Sequence, residues 1–304
     1  KMHKNKYTII GIGEILWDIY GETKYLGGAP ANFAIHCHNL GDDGFIVSRV
    51  GADSHGDEIK IALKQKKLNN QFIQTDKIKP TGSVSVTLDE AGKPSFDCTK
   101  DVAFDYLEFD PRLINLAGNA DAVLFGTLAQ RNKTSRQTIH QFLSMENNLL
   151  KIYDINLRGW NKDIEKIVAR SLKLANVVKL NDNELNILRS NTQPQLDDRS
   201  FLNFLIQNYQ LKLAALTLGE NGSVIATPSD IVQMDGLKIN AVDTTGCGDA
   251  FAAGLVYQYL RGKSLEDILI FSNRLGAYVA QLAGATPSYS LKDITNFEII
   301  HNLS

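Results

Sequence analysis

Tyr7-Thr8-Ile9-Ile10-Gly11 is a short apolar run that stops at a glycine, and the chain repeats that design. Phe45 to Val50, Ala122 to Phe125, Lys151 to Asp154, Asn176 to Leu180 and Leu213 to Leu218 are all strand-length and bounded by turn formers. Stretches with helical spacing lie between them. Strands that are apolar on both faces must be covered on both faces. The alternation therefore predicts βαβ units: an α/β fold with a doubly wound, mostly parallel sheet and helices on each side. The helix expected from about Ala29 to Leu40 carries Pro30 in its first turn, where a missing N–H is tolerated. Gly41 stands where a C-terminal cap belongs.

Between Thr81 and Phe109 the pattern changes. Ser83 to Leu88 alternates polar and apolar residues, Asp89-Glu90-Ala91-Gly92 reads as a turn, and Pro94 to Lys100 alternates again. Such a hairpin has one wet face and fits badly inside a sheet buried on both sides. It is expected to form a small β lid with the stretch around Ile19 to Tyr25, the lid drawing on about 17–26 and 81–109 of a single domain spanning 1–304.

Composition narrows the classes of function. With 43% hydrophobic and 22% charged residues, the 304-residue chain can bury a large core. A net charge of −2 gives no basic surplus for a nucleic acid backbone. The longest apolar runs are strand-sized, far short of the roughly 20 residues that cross a bilayer. The basic start, Lys1 to Lys6, precedes too few apolar residues for a signal peptide. Cys37, Cys98 and Cys247 are odd in number and match no metal spacing, which suits a reducing compartment. The expected location is the cytoplasm.

The chemistry concentrates in Asp243-Thr244-Thr245-Gly246-Cys247-Gly248-Asp249-Ala250-Phe251-Ala252-Ala253-Gly254, a polar glycine-containing loop that runs into an apolar, small-residue helix. Free N–H groups at a helix start, with the positive end of the helix dipole, favour an anion over Gly246 to Gly248. Asp249 faces the same point, where a carboxylate can take a proton from an attacking hydroxyl. Taken alone, the loop is also a glycine turn with an acidic residue opposing the dipole. Cys247 sits in the first helical turn, where a thiolate is favoured, although a small buried cysteine is the alternative.

This segment resembles the second signature of the PfkB, or ribokinase-like, sugar kinases, Asp-Thr-x-Gly-Ala-Gly-Asp, with Cys247 in place of alanine. The resemblance runs from Gly11 to about Ala285, with the other family segments in order. Gly27-Gly28-Ala29-Pro30-Ala31-Asn32 is similar to the sugar-binding Gly-Gly-x-x-x-Asn, and Gly13-Glu14-Ile15-Leu16-Trp17-Asp18 to a fructokinase opening whose aspartate contacts sugar hydroxyls. Gly27, Gly28, Asn32 and Asp18 are the implied sugar-side residues. Carboxylate and amide groups suit vicinal hydroxyls. Asn181-Asp182-Asn183-Glu184 resembles the Asn-x-x-Glu element that orders magnesium and phosphate, often through water, and is equally a routine capping sequence. Thr217, Gly219 and Gly222 resemble the nucleotide-contacting Thr-x-Gly-x-x-Gly. Asn273, Gly276 and Ala277, then Gly284-Ala285, resemble adenine-side elements, or simple helix packing. Tyr153-Asp154-Ile155-Asn156-Leu157-Arg158 is similar to a fructokinase segment in which Arg158 offers a forked donor, a solvated loop arginine being the alternative.

The resemblance implies ATP and Mg²⁺, admits a monovalent cation such as K⁺, and leaves open a homodimer through the lid. It also implies phosphorylation of a sugar at a primary hydroxyl, with fructose giving fructose 6-phosphate as first choice. 2-Keto-3-deoxygluconate and ribose are alternatives, and a non-catalytic sugar or nucleotide binder on the same fold is the rival from another class. The lid departs from the family: fructokinases carry Phe-x-Phe-x-Arg and then Pro-Ser-Ala-Asp, where this chain has Phe96 to Lys100 and Val102-Ala103-Phe104-Asp105. Lys100 replaces a planar fork with a point charge. Gly262-Lys263-Ser264 is no phosphate-binding P-loop, since Tyr257 occupies the place of the required glycine. Gly11-Ile12-Gly13 lacks the third glycine of a dinucleotide fingerprint, because Leu16 stands there.

Overall fold

The computed structural model describes residues 4–88, 94–145 and 148–301. Its strands are β1 (Thr8–Ile12), β2 (Leu16–Tyr20), β3 (Thr23–Gly27), β4 (Asp43–Gly51), β5 (Ile73–Asp76), β6 (Ser83–Leu88), β7 (Pro94–Cys98), β8 (Ala122–Gly126), β9 (Leu150–Asp154), β10 (Val177–Asn181), β11 (Leu213–Thr217), β12 (Ser223–Ala226) and β13 (Ile231–Met234). Its helices are α1 (Ala29–Asn39), α2 (Ser54–Gln65), α3 (Arg112–Asn119), α4 (Lys133–Met145), α5 (Lys162–Leu174), α6 (Asp182–Thr192), α7 (Asp198–Tyr209), α8 (Cys247–Leu260), α9 (Leu265–Ala280) and α10 (Leu291–His301).

The large sheet has the order β13-β12-β11-β10-β9-β8-β1-β4-β5, parallel from β11 to β5 and antiparallel at β12 and β13. Residues along one strand feed both faces. In β8, Val123 and Phe125 join the cluster with Phe142, Leu172 and Phe201, while Ala122 and Leu124 join the one with Phe33, Phe251 and Leu275. Helices α4, α5 and α7 cover the first face and α1, α8 and α9 the second, because each strand is apolar on both sides. The expected core strands form within a residue or two of their predicted ends. The edge strands β12 and β13 and the short β5 carry too little pattern to have been read.

A second sheet, in the order β3-β2-β6-β7, stands beside the first. Its root is anchored by Ile15, Trp17 and Leu26, which pack with Ala34 and Ile35 of α1 and Ile59 of α2. The expected hairpin strands are present as β6 and β7, and the turn read at 89–92 lies outside the described residues. The 103–109 end of the expected lid runs back to the main body. Phe104 and Leu107 are buried in the cluster that holds Ile10, Ile12 and Phe125, because their apolar side chains find cover there. No helix among the described residues is long and apolar enough to cross a membrane.

Candidate active site

Three strand ends set the floor of the site. Lys179 of β10 pairs in register with Asp154 of β9, and Asn181 of β10 with Thr217 of β11, so these residues share the carboxyl edge of the parallel sheet. That edge, outside the strand ends, is where open α/β sheets bind ligands. Lys179 is only 7% exposed and Asp154 1%, and the ammonium lies 3.1 and 3.0 Å from the two carboxylate oxygens. Desolvating a lysine costs several kcal/mol unless a partner compensates. Burial opposes the charge of Lys179, but Asp154, then Glu184 and Asp249, outweigh it and hold the ammonium protonated.

Directly over this pair comes the start of α8. Gly246 is its N-cap with φ +78°, a left-handed conformation that an L side chain enters at a cost, and a Cβ there would lie 2.5 Å from Ala285 O. No side chain caps the helix, and with Cys247 N turned back to Thr244 O at 3.3 Å, the N–H groups of Gly248 and Asp249 remain available to an anion. A Cβ on Gly248 would stand 2.9 Å from Lys179 Nζ, which places the buried ammonium against the loop. Across the loop, Tyr20 of β2 approaches Thr245, with Oη and Oγ1 3.3 Å apart. Asp243 accepts from Thr245 N and Gly284 N at 2.9 Å each, fixing the loop to the segment after α9.

Asp249, in the first turn of α8, is buried and accepts a 2.8 Å hydrogen bond from Asn32 Nδ2 of α1. Two helices more than 200 residues apart in sequence thus place the candidate base and the candidate sugar amide in contact. Burial, then the nearby Asp154, raise the Asp249 carboxyl from 3.8 to about 7, with Lys179 and the Asn32 bond pulling the other way. The carbonyl oxygen of Asn32 is buried without a partner, as is one carboxylate oxygen of Glu14. Both are acceptors short of a donor. Burial raises Glu14 as well, with Arg158 opposing and Asp154 adding to the rise.

Asp18 sits mid-strand in β2 opposite Tyr25, and its carboxylate lies over Gly27, where a Cβ would meet Oδ2 at 2.1 Å. Burial raises Asp18 to about 6, with Arg158 lowering and Asp243 raising it. Gly28 forms the N-cap of α1. Arg158 is exposed and donates to its own neighbours, Asn156 Oδ1 at 3.0 Å and Leu157 O at 3.4 Å, while its charge reaches Asp18 and Glu14. Lys100 is exposed beyond β7. The cation built into the lid base is Arg131, which donates to Thr99 O at 2.6 Å and grips Asp105 at 2.7 and 2.8 Å.

Asn181 and Glu184 form a reciprocal cap of α6. Glu184 accepts from Asn181 N at 2.9 Å with one oxygen and from Leu157 N at 2.8 Å with the other. A carboxylate so occupied suits a metal held through water better than a direct ligand, and no cluster of metal-ligating side chains occurs among the described residues. Thr217 leads into the turn at Gly219–Asn221, where Leu218 N donates to Gly222 O at 2.8 Å. Asn273 of α9 accepts from Ser223 Oγ at 2.7 Å and leaves its buried Nδ2 unpartnered, a donor in want of an acceptor. Gly276 lets α9 approach Cys247 O, 3.3 Å from its virtual Cβ, and Ala277 follows on the same helix.

At Cys247 the surroundings favour the second of the two readings, a small buried cysteine. Burial first, then Asp249 and Asp243, push its thiol up to about 12, outweighing the backbone N–H that pulls the other way. Sequence reading missed Lys179. A lysine inside Val177-Val178-Lys179-Leu180 was the available signal, since a cation in a buried strand requires a partner.

Comparison with known proteins establishes the family. The model of the pfkB family carbohydrate kinases matches residues 20–292. The chain belongs to the PfkB family of carbohydrate kinases. A putative sugar kinase of Pyrococcus horikoshii is 29% identical over 299 residues, covering 91% of each chain. A probable fructokinase of Arabidopsis thaliana is 29% identical over 310 residues and 93% of each. Among solved structures, the fructokinase of Vibrio cholerae with fructose, ADP and calcium bound superposes with a TM-score of 0.81 at 25% identity, over 96% of this chain and 98% of that one. This PfkB chain is accordingly a sugar kinase, and its two sheets match the ribokinase-like architecture.

Proposed function

We propose that the protein transfers the terminal phosphoryl group of ATP to the primary 6-hydroxyl of fructose. The observation that carries this reading is the buried Asn32–Asp249 contact at the uncapped start of α8. It joins a proton acceptor, a hydroxyl-seeking amide oxygen and an anion-binding helix end at one point.

The sugar lies between β2, α1 and the start of α8. Asp18, the free oxygen of Asn32 and backbone near Gly28 receive its hydroxyls. A carboxyl titrating near 7 is ionised in a useful fraction at neutral pH and is basic enough to accept the proton of the attacking hydroxyl. First-turn N–H groups of Gly248 and Asp249, with Lys179 beneath them, face the transferred group and stabilise its charge. Asn181 and Glu184 are the residues that would hold magnesium, which would supply charge neutralisation there. The adenosine end extends along Thr217 to Gly222 toward Asn273, whose free Nδ2 offers a donor.

Fructose is preferred over 2-keto-3-deoxygluconate because Glu14, Asp18 and Asp243 gather on the sugar side and oppose a carboxylate substrate. An ATP-consumption assay with fructose, ribose and 2-keto-3-deoxygluconate tests the reading, with the phosphorylated carbon assigned by NMR. Fructose is expected to give the highest kcat/KM and a 6-phosphate. A higher kcat/KM for either competitor refutes the substrate.

A further inference from the structure

Outside this site, α4 and α5 line an open surface cavity of about 590 Å³, inside the range of roughly 300–1,000 Å³ usual for small-ligand sites. Its wall carries Arg131, Arg136, Lys166 and Arg170 against a single carboxylate, Asp163. Arg131 is paired with Asp105, and Lys166 lies 3.6 Å from Asp163. Arg136 donates to Gln130 O at 3.1 Å, and neither it nor Arg170 forms an ion pair among the described residues. His140 stands beside them with Nε2 2.9 Å from Gln130 Oε1. Burial, then Arg170 and Arg136, hold its pKa down at about 4, so the imidazole stays neutral. Two guanidinium groups on one wall without a carboxylate partner leave a positive potential that an anion would relieve.

The cavity also reaches the lid. Besides Asp105, the Arg131 guanidinium holds Thr99 O at 2.6 Å and approaches Cys98 Sγ at 3.4 Å, where β7 leaves the second sheet.

We propose that this cavity is a regulatory site for a small metabolite bearing clustered phosphoryl groups, gripped by Arg136 and Arg170 and communicated to the lid through Arg131. Planar guanidinium forks match phosphoryl oxygens with paired hydrogen bonds, and two of them favour a ligand with more than one phosphoryl group. A ligand that recruits Arg131 competes with Thr99 O for the same donors. It loosens the lid root and raises the apparent KM for the sugar, a consequence that rests on the sugar-kinase reading, whereas the binding itself does not.

Inorganic pyrophosphate is the probe. With the nucleotide site filled by a non-hydrolysable ATP analogue, calorimetry is expected to find one pyrophosphate bound per chain. Arg136→Gln/Arg170→Gln is expected to weaken that binding at least about tenfold, with kcat and KM in the absence of pyrophosphate unchanged. Pyrophosphate should raise the sugar KM of the wild type and not of the variant. Arg170→Gln alone, at an exposed position, repeats the binding measurement if the double variant does not fold. Displacement of pyrophosphate by a sugar bisphosphate or by a nucleoside diphosphate separates the two sources of such phosphoryl groups. Equal affinity in wild type and variants, or no binding once the nucleotide site is filled, overturns the proposal. Binding that leaves the sugar KM unchanged overturns the coupling through Arg131.

Discussion

Lys179→Met would remove the ammonium that lies 3.0 Å from Asp154 while leaving that carboxylate 1% exposed. Breaking a buried ion pair from one side costs about 3–5 kcal/mol, because the surviving charge has lost both water and partner. Against a typical folding stability of about 5–15 kcal/mol this is a large fraction, and the urea midpoint should fall accordingly. Catalysis should respond in a different way. Asp249 is raised by Asp154 and, more weakly, lowered by Lys179. Without Lys179 its pKa rises above about 7, and since the base works deprotonated, the acid limb of kcat/KM moves to higher pH, by about one unit. Asp154→Asn acts with the opposite sign and moves the limb to lower pH. In Lys179→Met/Asp154→Asn both influences vanish. The limb then returns to the wild-type position or below it, because Asp154 is the larger of the two, and most of the lost stability is recovered since no unpaired charge remains. Rate profiles from about pH 5.5 to 9 and urea titrations of the four proteins complete the cycle. An acid limb that stays fixed in all variants, or a double variant as unstable as the sum of the single losses, would refute the reasoning.

The other variants probe separate parts of the site. Asp249→Asn should reduce kcat by about 10² or more and stabilise the fold at pH 8. A carboxyl raised from 3.8 to about 7 stabilises the folded state fully below 3.8 and loses that contribution as pH rises to about 7, a gap worth up to about 4 kcal/mol at 1.36 kcal/mol per pKa unit. Thermal melts at pH 8 and pH 4 should therefore show a higher Tm than wild type only at pH 8, and equal Tm values at pH 8 would count against the raised carboxyl. Asn32→Ala or Asp18→Ala should weaken sugar binding in calorimetry and leave nucleotide affinity near wild type, equal losses for both ligands being the contrary result. Gly248→Ala places a Cβ 2.9 Å from an ammonium fixed by Asp154, so stability should fall by about 1–3 kcal/mol together with kcat, and an unperturbed enzyme would contradict the contact. Cys247, with its thiol near 12, should resist alkylation at pH 8 in the empty protein; rapid labelling at this position, mapped by mass spectrometry, would reverse that conclusion.

Where the sequence proved readable, the physics was local. The strand ending at Asp154 and the loop from Asp243 into α8 declare themselves through apolar runs, glycines and a helix start, all within a dozen residues. The Asn32–Asp249 contact spans more than 200 residues, and only the resemblance to a family linked its two halves. Lys179 and Asp154 became partners through the register of β9 and β10, which no single-strand pattern specifies. The two readings of Cys247 could not be separated in the sequence for a related reason. The helix dipole is a local effect and favours a thiolate, but burial and the negative charges of Asp249 and Asp243, which the fold assembles, run against it and win. At the lid, the alternation from Ser83 onward was visible, whereas the return of Phe104 into the main core depends on a cavity supplied by other elements.

On the proposed function, the distribution of charge also divides the site between its two ligands. Glu14, Asp18 and Asp243 gather beside the lid with one exposed arginine, Arg158, against them, so that half accepts hydroxyl groups, which donate to carboxylates, and disfavours anions. The other half presents the free amides of α8 and the buried ammonium of Lys179, which face negative charge. Asp249 stands on the border between them. Its carboxylate is adjacent to the donor-poor oxygen of Asn32 on one side and to the helix end on the other. A base placed elsewhere in either half would meet only one of the two reactants: deep among the carboxylates it would be further from the phosphoryl group, and among the amides it would compete with it for the same N–H groups. The raised pKa of Asp249 is the cost of that border position, since burial and Asp154 beneath the helix end raise it and Glu14 of the acidic half adds to the rise. The same rise makes the residue a competent proton acceptor near neutral pH.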